Sequence, residues 1–325
     1  MFQSAIIYRI APDWQPPAVA ALEEALERAR FARCGPSDPR SFGWVEPRGE
    51  PDGPLLESIG GHWLLALRTE IRAVPGSAVR DALDERLDRI EQETGMRPRG
   101  KQRLALKDTI VLELLPRAFS KLATVRVWID PQARTMVVGA GSVAQADEVV
   151  GALMQVFKEI DAALPLSLLK TAMAPSTAMS IWLAEREAPA GFSIDRDCEL
   201  RQAGPGESSQ ARAGTAPAVD EAGRKAIVRY VQHPLDIAEI VEHIAQGKIA
   251  TRLAMTWQDR VSFVLDANLV LKRIEFLDVV LEAVAGASAV ADDRAESFDA
   301  DAAIATTELS RLIPDLVQAL GGEPA

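Results

Sequence analysis

RPRGKQRLALKDTIVLELLPRAFSKLATVRVWIDPQARTMVV, residues 97–138, sets a helix and a β-hairpin side by side. The helix is expected from about Leu104 to Leu115, and Pro116 should end or kink it, because Pro has no amide donor for the helix interior. Thr124–Ile129 and Thr135–Val138 then read as two strands around an Asp130-Pro131 turn. A helix that runs into an antiparallel pair, with no regular βαβ period elsewhere, predicts an α+β fold with mixed sheets and packed helices.

Outward from this stretch, Val79, Leu83, Leu87 and Ile90 form one stripe of a preceding helix, with Ser77 as its N-cap and Gly95 closing it. The two helices, joined by a basic 95–103 loop, predict a protruding hairpin over 76–118. Ala5–Ile10 reads as a strand, and Pro16-Pro17 opens a helix with Val19, Leu22, Leu26 and Ala29 in register. Residues 34–61 read as Gly- and Pro-rich loop around Phe42-Gly43-Trp44-Val45, and His62–Val74 as a strand. Further on, Gln145–Ile160 is helical, Met179–Leu183 reads as a strand, and Ile227–Tyr230 and Asp236–Ala245 as strand and helix. Residues 251–277 form the clearest hairpin, with Leu253, Met255 and Trp257 alternating against Val261, Phe263 and Leu265, then Val270, Ile274 and Phe276. A helix over Asp301–Leu320 stops at Gly321-Gly322. Residues 203–224, rich in Ala, Gly, Ser, Pro and Glu, read as a flexible insertion. The domains expected are a discontinuous body (1–75 and 119–180), the hairpin as a tip (76–118), and a third domain (181–325).

Charge singles out the same stretch. Arg97, Arg99, Lys101, Arg103, Lys107, Arg117, Lys121 and Arg126 face only Asp108 and Glu113, a local net of +6 in a chain of net −11. Lys248, Arg252, Arg260, Lys272 and Arg273 add a second basic group near the 251–277 hairpin, where alternation turns Arg273 away from Ile274 and Phe276 and leaves it free to project toward a ligand. Basic clusters in an acidic protein suit a polyanion, and phosphate contacts of this kind give salt-sensitive, sequence-independent binding. A solvated helical face accounts for the same charge. From residue 275 onward eleven acids meet two basic residues, consistent with an outer surface that discourages wrong contacts.

Other chemistry finds little footing. Gly139-Ala140-Gly141-Ser142-Val143-Ala144 follows a strand and opens a helix, as a dinucleotide loop would, but the acid expected about 20 residues on is missing, since Glu159 and Asp161 lie at a helix end. A nucleotide-dependent enzyme is therefore the rival, with a tight strand-to-helix turn as the plainer reading. His62, His233 and His243 form no metal-binding motif, there is no GxSxG elbow, and neither a cofactor nor a metal is expected. Cys34 and Cys198 stand far apart, which suits a reduced compartment; with no secretory leader and no apolar run near 18 residues, a cytoplasmic protein without membrane contact is expected.

Leu115-Pro116-Arg117-Ala118-Phe119-Ser120-Lys121 followed by Trp128-Ile129-Asp130 resembles the RdgC family of recombination-associated proteins. The likeness continues through Gly43-Trp44-Val45, Leu106-Lys107-Asp108, Leu253-Ala254-Met255-Thr256-Trp257-Gln258, Leu271-Lys272-Arg273, Phe298-Asp299-Ala300-Asp301 and Ala319-Leu320-Gly321-Gly322-Glu323. It covers all but the 203–224 insertion. The resemblance implies a non-catalytic, nucleoid-associated protein, a ring-shaped homodimer with a positive hole for duplex DNA. It also implies little sequence preference and restraint of RecA-type recombinase by occupation of the DNA. It places one dimer contact at Phe119 and the other, where the family has Lys-Gln, at Gln232-His233, whose histidine titrates near neutrality. DNA contacts are then expected from Arg97, Arg99, Lys101, Arg103, Lys107, Arg117, Lys121, Lys248, Arg252, Lys272 and Arg273. A protein-only module that holds the recombinase through the basic hairpin is a further rival.

Overall fold

The computed structural model describes residues 1–203, 226–235, 237–280 and 294–324. Apart from Ala203, the expected insertion lies outside the described residues. In chain order the elements begin with β1 (Ser4–Ile10), α1 (Val19–Arg28), β2 (Arg40–Val45), β3 (Glu57–Ile59) and β4 (His62–Arg72). Then come α2 (Gly76–Thr94), α3 (Gly100–Leu114), a single 3-10 turn (Leu115–Arg117), β5 (Ser120–Asp130) and β6 (Thr135–Val138). After them follow α4 (Val143–Glu159), β7 (Leu166–Leu168), α5 (Pro175–Glu185), β8 (Phe192–Gln202), β9 (Ile227–Tyr230) and α6 (Ala238–Ala245). β10 (Lys248–Trp257), β11 (Val261–Asp266), β12 (Leu271–Phe276) and α7 (Arg294–Ala319) complete the order. No described helix is long and apolar enough to cross a membrane.

These elements fall into two units, Met1–Pro17 with Glu57–Leu64 and Arg126–Ala325, and Ala18–Leu56 with Leu65–Val125. The first is built on a sheet of order β5-β6-β1-β12-β11-β10-β8-β9, to which β5 contributes from Arg126 on. Its pairings are antiparallel. The expected α+β class holds, but the sheet is antiparallel where mixed sheets were expected. Alternation explains the sheet's inner face: Leu253, Met255 and Trp257 of β10 and Phe263 and Leu265 of β11 are buried in one cluster with Met179 of α5 and Leu309, Leu312 and Leu316 of α7. Full burial of such side chains contributes about 1.5–3 kcal/mol each. Polar ties fix α7 on the sheet: Trp257 Nε1 donates to Asp315 Oδ2 at 2.9 Å, and Arg260 forms a two-pronged pair with the buried Glu308 at 2.6 and 2.8 Å.

In the second unit, β2 pairs antiparallel with β4, with Trp44 opposite Leu67. Trp44 also exchanges backbone bonds with Ala29 and Phe31 just after α1. Gly43 permits this approach, because a Cβ there would lie 2.5 Å from Phe31 Cα. α2 and α3 form the hairpin, with Val79, Leu83, Leu87 and Ile110 buried between them. Gly95 ends α2 at φ +74°, the left-handed conformation a C-terminal glycine supplies.

Several local expectations need correction. Residues 34–61 hold two strands, β2 and β3: Phe42–Val45 find their partners in β4 more than 20 residues on, and Glu57–Ile59 fold straight back on the start of β4, Ile59 opposite His62. Met179–Leu183 is helical: a short apolar run cannot separate strand from buried helix, and Pro175, Ala178, Met179, Trp182 and Leu183 bury at helical spacing behind a Pro in the first turn. Ser77 is not the N-cap of α2, since Gly76 is already helical and Pro75 holds the cap position. Strand β8 gave little signal, because Asp195-Arg196-Asp197 interrupts its apolar alternation.

Candidate nucleic-acid interface

Arg99, Lys101, Arg103 and Lys107 lie at the N-cap and on the first half of α3, all exposed. Arg117 closes the 3-10 turn, and Lys121 opens β5, both also exposed. Among the described residues these six have no ion-pair partner. Their placement opposes the helix: no acid stands in the first turn of α3 and no side chain caps it, so three cations crowd the positive end of the macrodipole. Each such cation costs about 0.3–1 kcal/mol at an exposed terminus. A bound anion would relieve that repulsion and meet the uncapped amides as well.

Arg97 belongs to a different set. Its guanidinium meets Asp88 at 2.5 Å and Glu91 at 3.1 Å, both on α2. The hairpin also pairs Arg86 with Glu113 at 3.1 Å. Residues 76–96 hold three basic and six acidic residues, a net of −3, so the helix folded against the linear window offsets half of its +6. The surviving positive charge is concentrated at the start of α3.

Antiparallel pairing in the first unit brings Arg252 on β10, Lys272 and Arg273 on β12, and Arg229 on β9 near one another's acids. Lys272 Nζ lies 3.1 Å from Asp266, and Arg252 lies 3.6 Å from Asp266 and 3.7 Å from Glu199. Arg229 meets Glu199 at 2.6 Å, and Lys248 Nζ lies 3.1 Å from His243 Nδ1. Burial pushes the Asp266 carboxyl up, but the Asn268 amide and the Lys272 ammonium outweigh it and hold it below the ordinary carboxylate range. Arg273 is exposed, at φ +49° where the strand's alternation breaks, and it is not free: its guanidinium pairs with Asp197 at 3.2 Å. Apart from Lys248, whose neighbour is an imidazole, the second basic group is therefore paired with carboxylates of the same fold.

The expected dimer-contact residues are on the surface. Phe119 is 95% exposed, and Leu122, three residues on, is 43% exposed. Ser120 beside Phe119 is tied to Glu70, a carboxylate only 1% exposed in β4 that also accepts from the Cys34 amide at 2.9 Å. The Cys34 amide, working against burial, and the Ser120 hydroxyl hold Glu70 below the ordinary carboxylate range. Sequence reasoning missed this anchor; its signal was the lone carboxylate of the strand HWLLALRTEIR. Gln232 and His233 are exposed after β9. Gln232 turns at φ +52° and donates its amide to Asp197 Oδ1 at 2.8 Å, while His233 Nδ1 lies 2.8 Å from its neighbour's carbonyl, that of Pro234.

The glycine loop is used by its own fold. A Cβ on Gly139 would lie 3.1 Å from the Phe2 ring and 3.2 Å from Arg126 O. Ser142 caps α4 by accepting from the Gln145 amide, and Gln145 accepts in turn from the Gly141 amide, both at 3.3 Å. These reciprocal bonds occupy amides a phosphate would need. Among the described residues no group of three or more His, Cys, Asp or Glu side chains could hold a metal ion.

Residues 1–323 match the family model described as "Putative exonuclease, RdgC". The chain is similar to proteins named Recombination-associated protein RdgC. It is 42% identical to that of Dechloromonas aromatica over 325 residues, 99% of this chain and 98% of the relative. It is 40% identical to that of Herminiimonas arsenicoxydans over 324 residues, covering 100% and 99%, and 39% identical to that of Bordetella pertussis over 322 residues, covering 99% and 98%.

Proposed function

Since the chain belongs to the RdgC family, recombination-associated proteins that it matches from end to end, we propose that it binds duplex DNA through phosphate contacts, with little regard to sequence. The observation that carries this reading is the row of unpaired cations Arg99, Lys101 and Arg103 at the positive end of α3, continued by Lys107 one turn on. That arrangement is unfavourable for the isolated helix and favourable for a polyanion. Lys and Arg on an exposed helix face, with no base-reading motif, give position without sequence.

In this reading two copies close head to head into a ring about the DNA, with Phe119 at one contact and Gln232-His233 at the other. The body of the ring comprises 1–75 and 119–180, the hairpin 76–118 is its tip, and 181–325 is its base. Two-fold symmetry repeats each cationic row on both sides of the hole, so modest contacts suffice once the ring is closed. The protein acts by occupation, not by bond making, limiting the access of RecA-type recombinase to nucleoid DNA in the cytoplasm. Phe119 supports the first contact, because an aromatic side chain 95% exposed gains most from a partner surface.

Retention on closed circles tests this reading. Complexes formed on circular duplex and challenged with high salt should survive while the circle is intact and fall apart when a restriction enzyme linearises it. Equal loss from circular and linear DNA would refute the ring.

A further inference from the structure

The hairpin carries a second surface that phosphate binding does not explain. A groove of about 930 Å³ runs between α2 and α3, from Val74 and Gly76 at one end to Gly100 at the other. Val79, Leu83, Leu104 and Val111 make its floor and wall aliphatic. Arg80, Arg103 and Lys107 stand on its rim, and none of the lining residues is acidic. Arg80 is held there by its bond from Nε to Gly76 O at 3.2 Å.

Two features say that this surface is short of a partner. Helices of 19 and 15 residues meet over four buried apolar residues, Val79, Leu83, Leu87 and Ile110, while Val74, Ala82, Leu106, Val111 and Leu114 around them are only partly buried. Tertiary burial of an apolar face is what normally stabilises helices within a protein. Moreover, α3 is apolar on more than one side: Ile110 is buried against α2, while Leu104 is 60% and Leu112 54% exposed. A third helix laid along the groove would cover the Leu104 side.

We propose that this groove docks an acidic amphipathic helix of a partner protein. From Gly100 to Val111 the wall is about 16 Å long, room for about three helical turns. Apolar residues at i, i+3 or i+4 and i+7 would meet the floor, and Asp or Glu beside them the cationic rim. The aliphatic floor separates this occupant from DNA, whose backbone gains nothing from Val and Leu side chains. Arg103 and Lys107 belong to both surfaces, so helix and DNA compete. A partner of this kind would release the protein from DNA or keep it off. The inference does not depend on ring closure; peptide binding is read without DNA, and only the competition rests on the proposed DNA contacts at Arg103 and Lys107.

The test uses the full chain and a labelled synthetic peptide of about 16 residues, with Leu at helical spacing and Glu on the flanking positions. Two comparison peptides carry the same residues scrambled, or Lys in place of Glu. Fluorescence anisotropy should show the amphipathic acidic peptide binding at least tenfold more tightly than either. Leu104→Ser should remove that preference while leaving DNA affinity unchanged, and excess duplex should displace the peptide. Equal binding of the scrambled peptide would reduce the effect to bulk charge and overturn the proposal. So would indifference to Leu104→Ser, or a sedimentation shift with Leu104→Ser showing that a second copy fills the groove. A loss of DNA affinity in Leu104→Ser matching the loss of peptide affinity would assign the groove to DNA instead.

Discussion

Replacing Lys101 and Arg103 together by Gln separates the two basic groups by the salt dependence of DNA binding. Each phosphate left without its cation should make the plot of log affinity against log salt shallower by about 0.9, so two phosphates per protomer, four per dimer, amount to about 3.6. Over a fourfold rise in salt, a slope difference of about 3.6 changes the ratio of parent to variant affinity about 150-fold. Lys272→Gln with Arg252→Gln is the matched control. Their cations already face Asp266 and Glu199 at 3.1–3.7 Å and should release few counterions. The α3 variant should not be less stable, because taking a cation from the positive end of a helix relieves about 0.3–1 kcal/mol of repulsion. Anisotropy titrations on a short duplex at several salt concentrations give the slopes, and circular dichroism melting gives the stability. An equal slope change from both pairs would refute the reasoning, because pairing inside the protein would then not decide which cations meet phosphate.

Phe119→Ala should leave the melting temperature unchanged, because the ring is 95% exposed, while sedimentation equilibrium shows weaker self-association; unchanged association counts against the contact. Gly43→Ala should destabilise the protein by about 1–3 kcal/mol, since the added methyl meets the Phe31 backbone at 2.5 and 2.6 Å; urea unfolding at parental stability would contradict this close approach. Acid should destabilise the fold in a defined window. Asp266, Glu199 and Glu70 are held below the ordinary carboxylate range in the native state, so their contribution is complete above about pH 5 and lost as pH falls through their native values. Melting temperatures should therefore fall from about pH 5 downward, less steeply for Asp266→Asn, and a flat profile would exclude these carboxylates as a source of stability. Burial, with the charge of Asp197 behind it, pushes the Cys198 thiol up to about 12, so a thiol reagent near pH 8 should label it only after denaturant is added.

Legibility along the chain followed how local each signal was. The hairpin from β10 to β12 could be read because one face is buried and the period of two survives in the sequence, as in Leu253, Met255 and Trp257. α2 could be read from its stripe and its closing glycine. α5 could not, because MSIWL is a short, mostly apolar run that suits a strand as well as a buried helix, and the sheet surface behind Ser180, whose hydroxyl receives the Ala250 amide at 2.9 Å, lies 70 residues away. β2 hid among Gly and Pro because only β4 completes it.

By itself, the sequence determined the family, the α+β class, the helical hairpin and the reversal of charge near Arg99–Lys107. These depend on residue order, on short periods, or on charges close together in the chain. Only the tertiary structure decided which cations are available. Arg97, Arg252, Lys272 and Arg273 look as free as Lys101 in a linear count, yet they meet Asp88, Glu199, Asp266 and Asp197, carboxylates brought in by a neighbouring helix or by antiparallel strands. Coulombic attraction falls with distance through space and takes no account of separation along the chain, so a charge can be counted from sequence but its partner must be found in the fold.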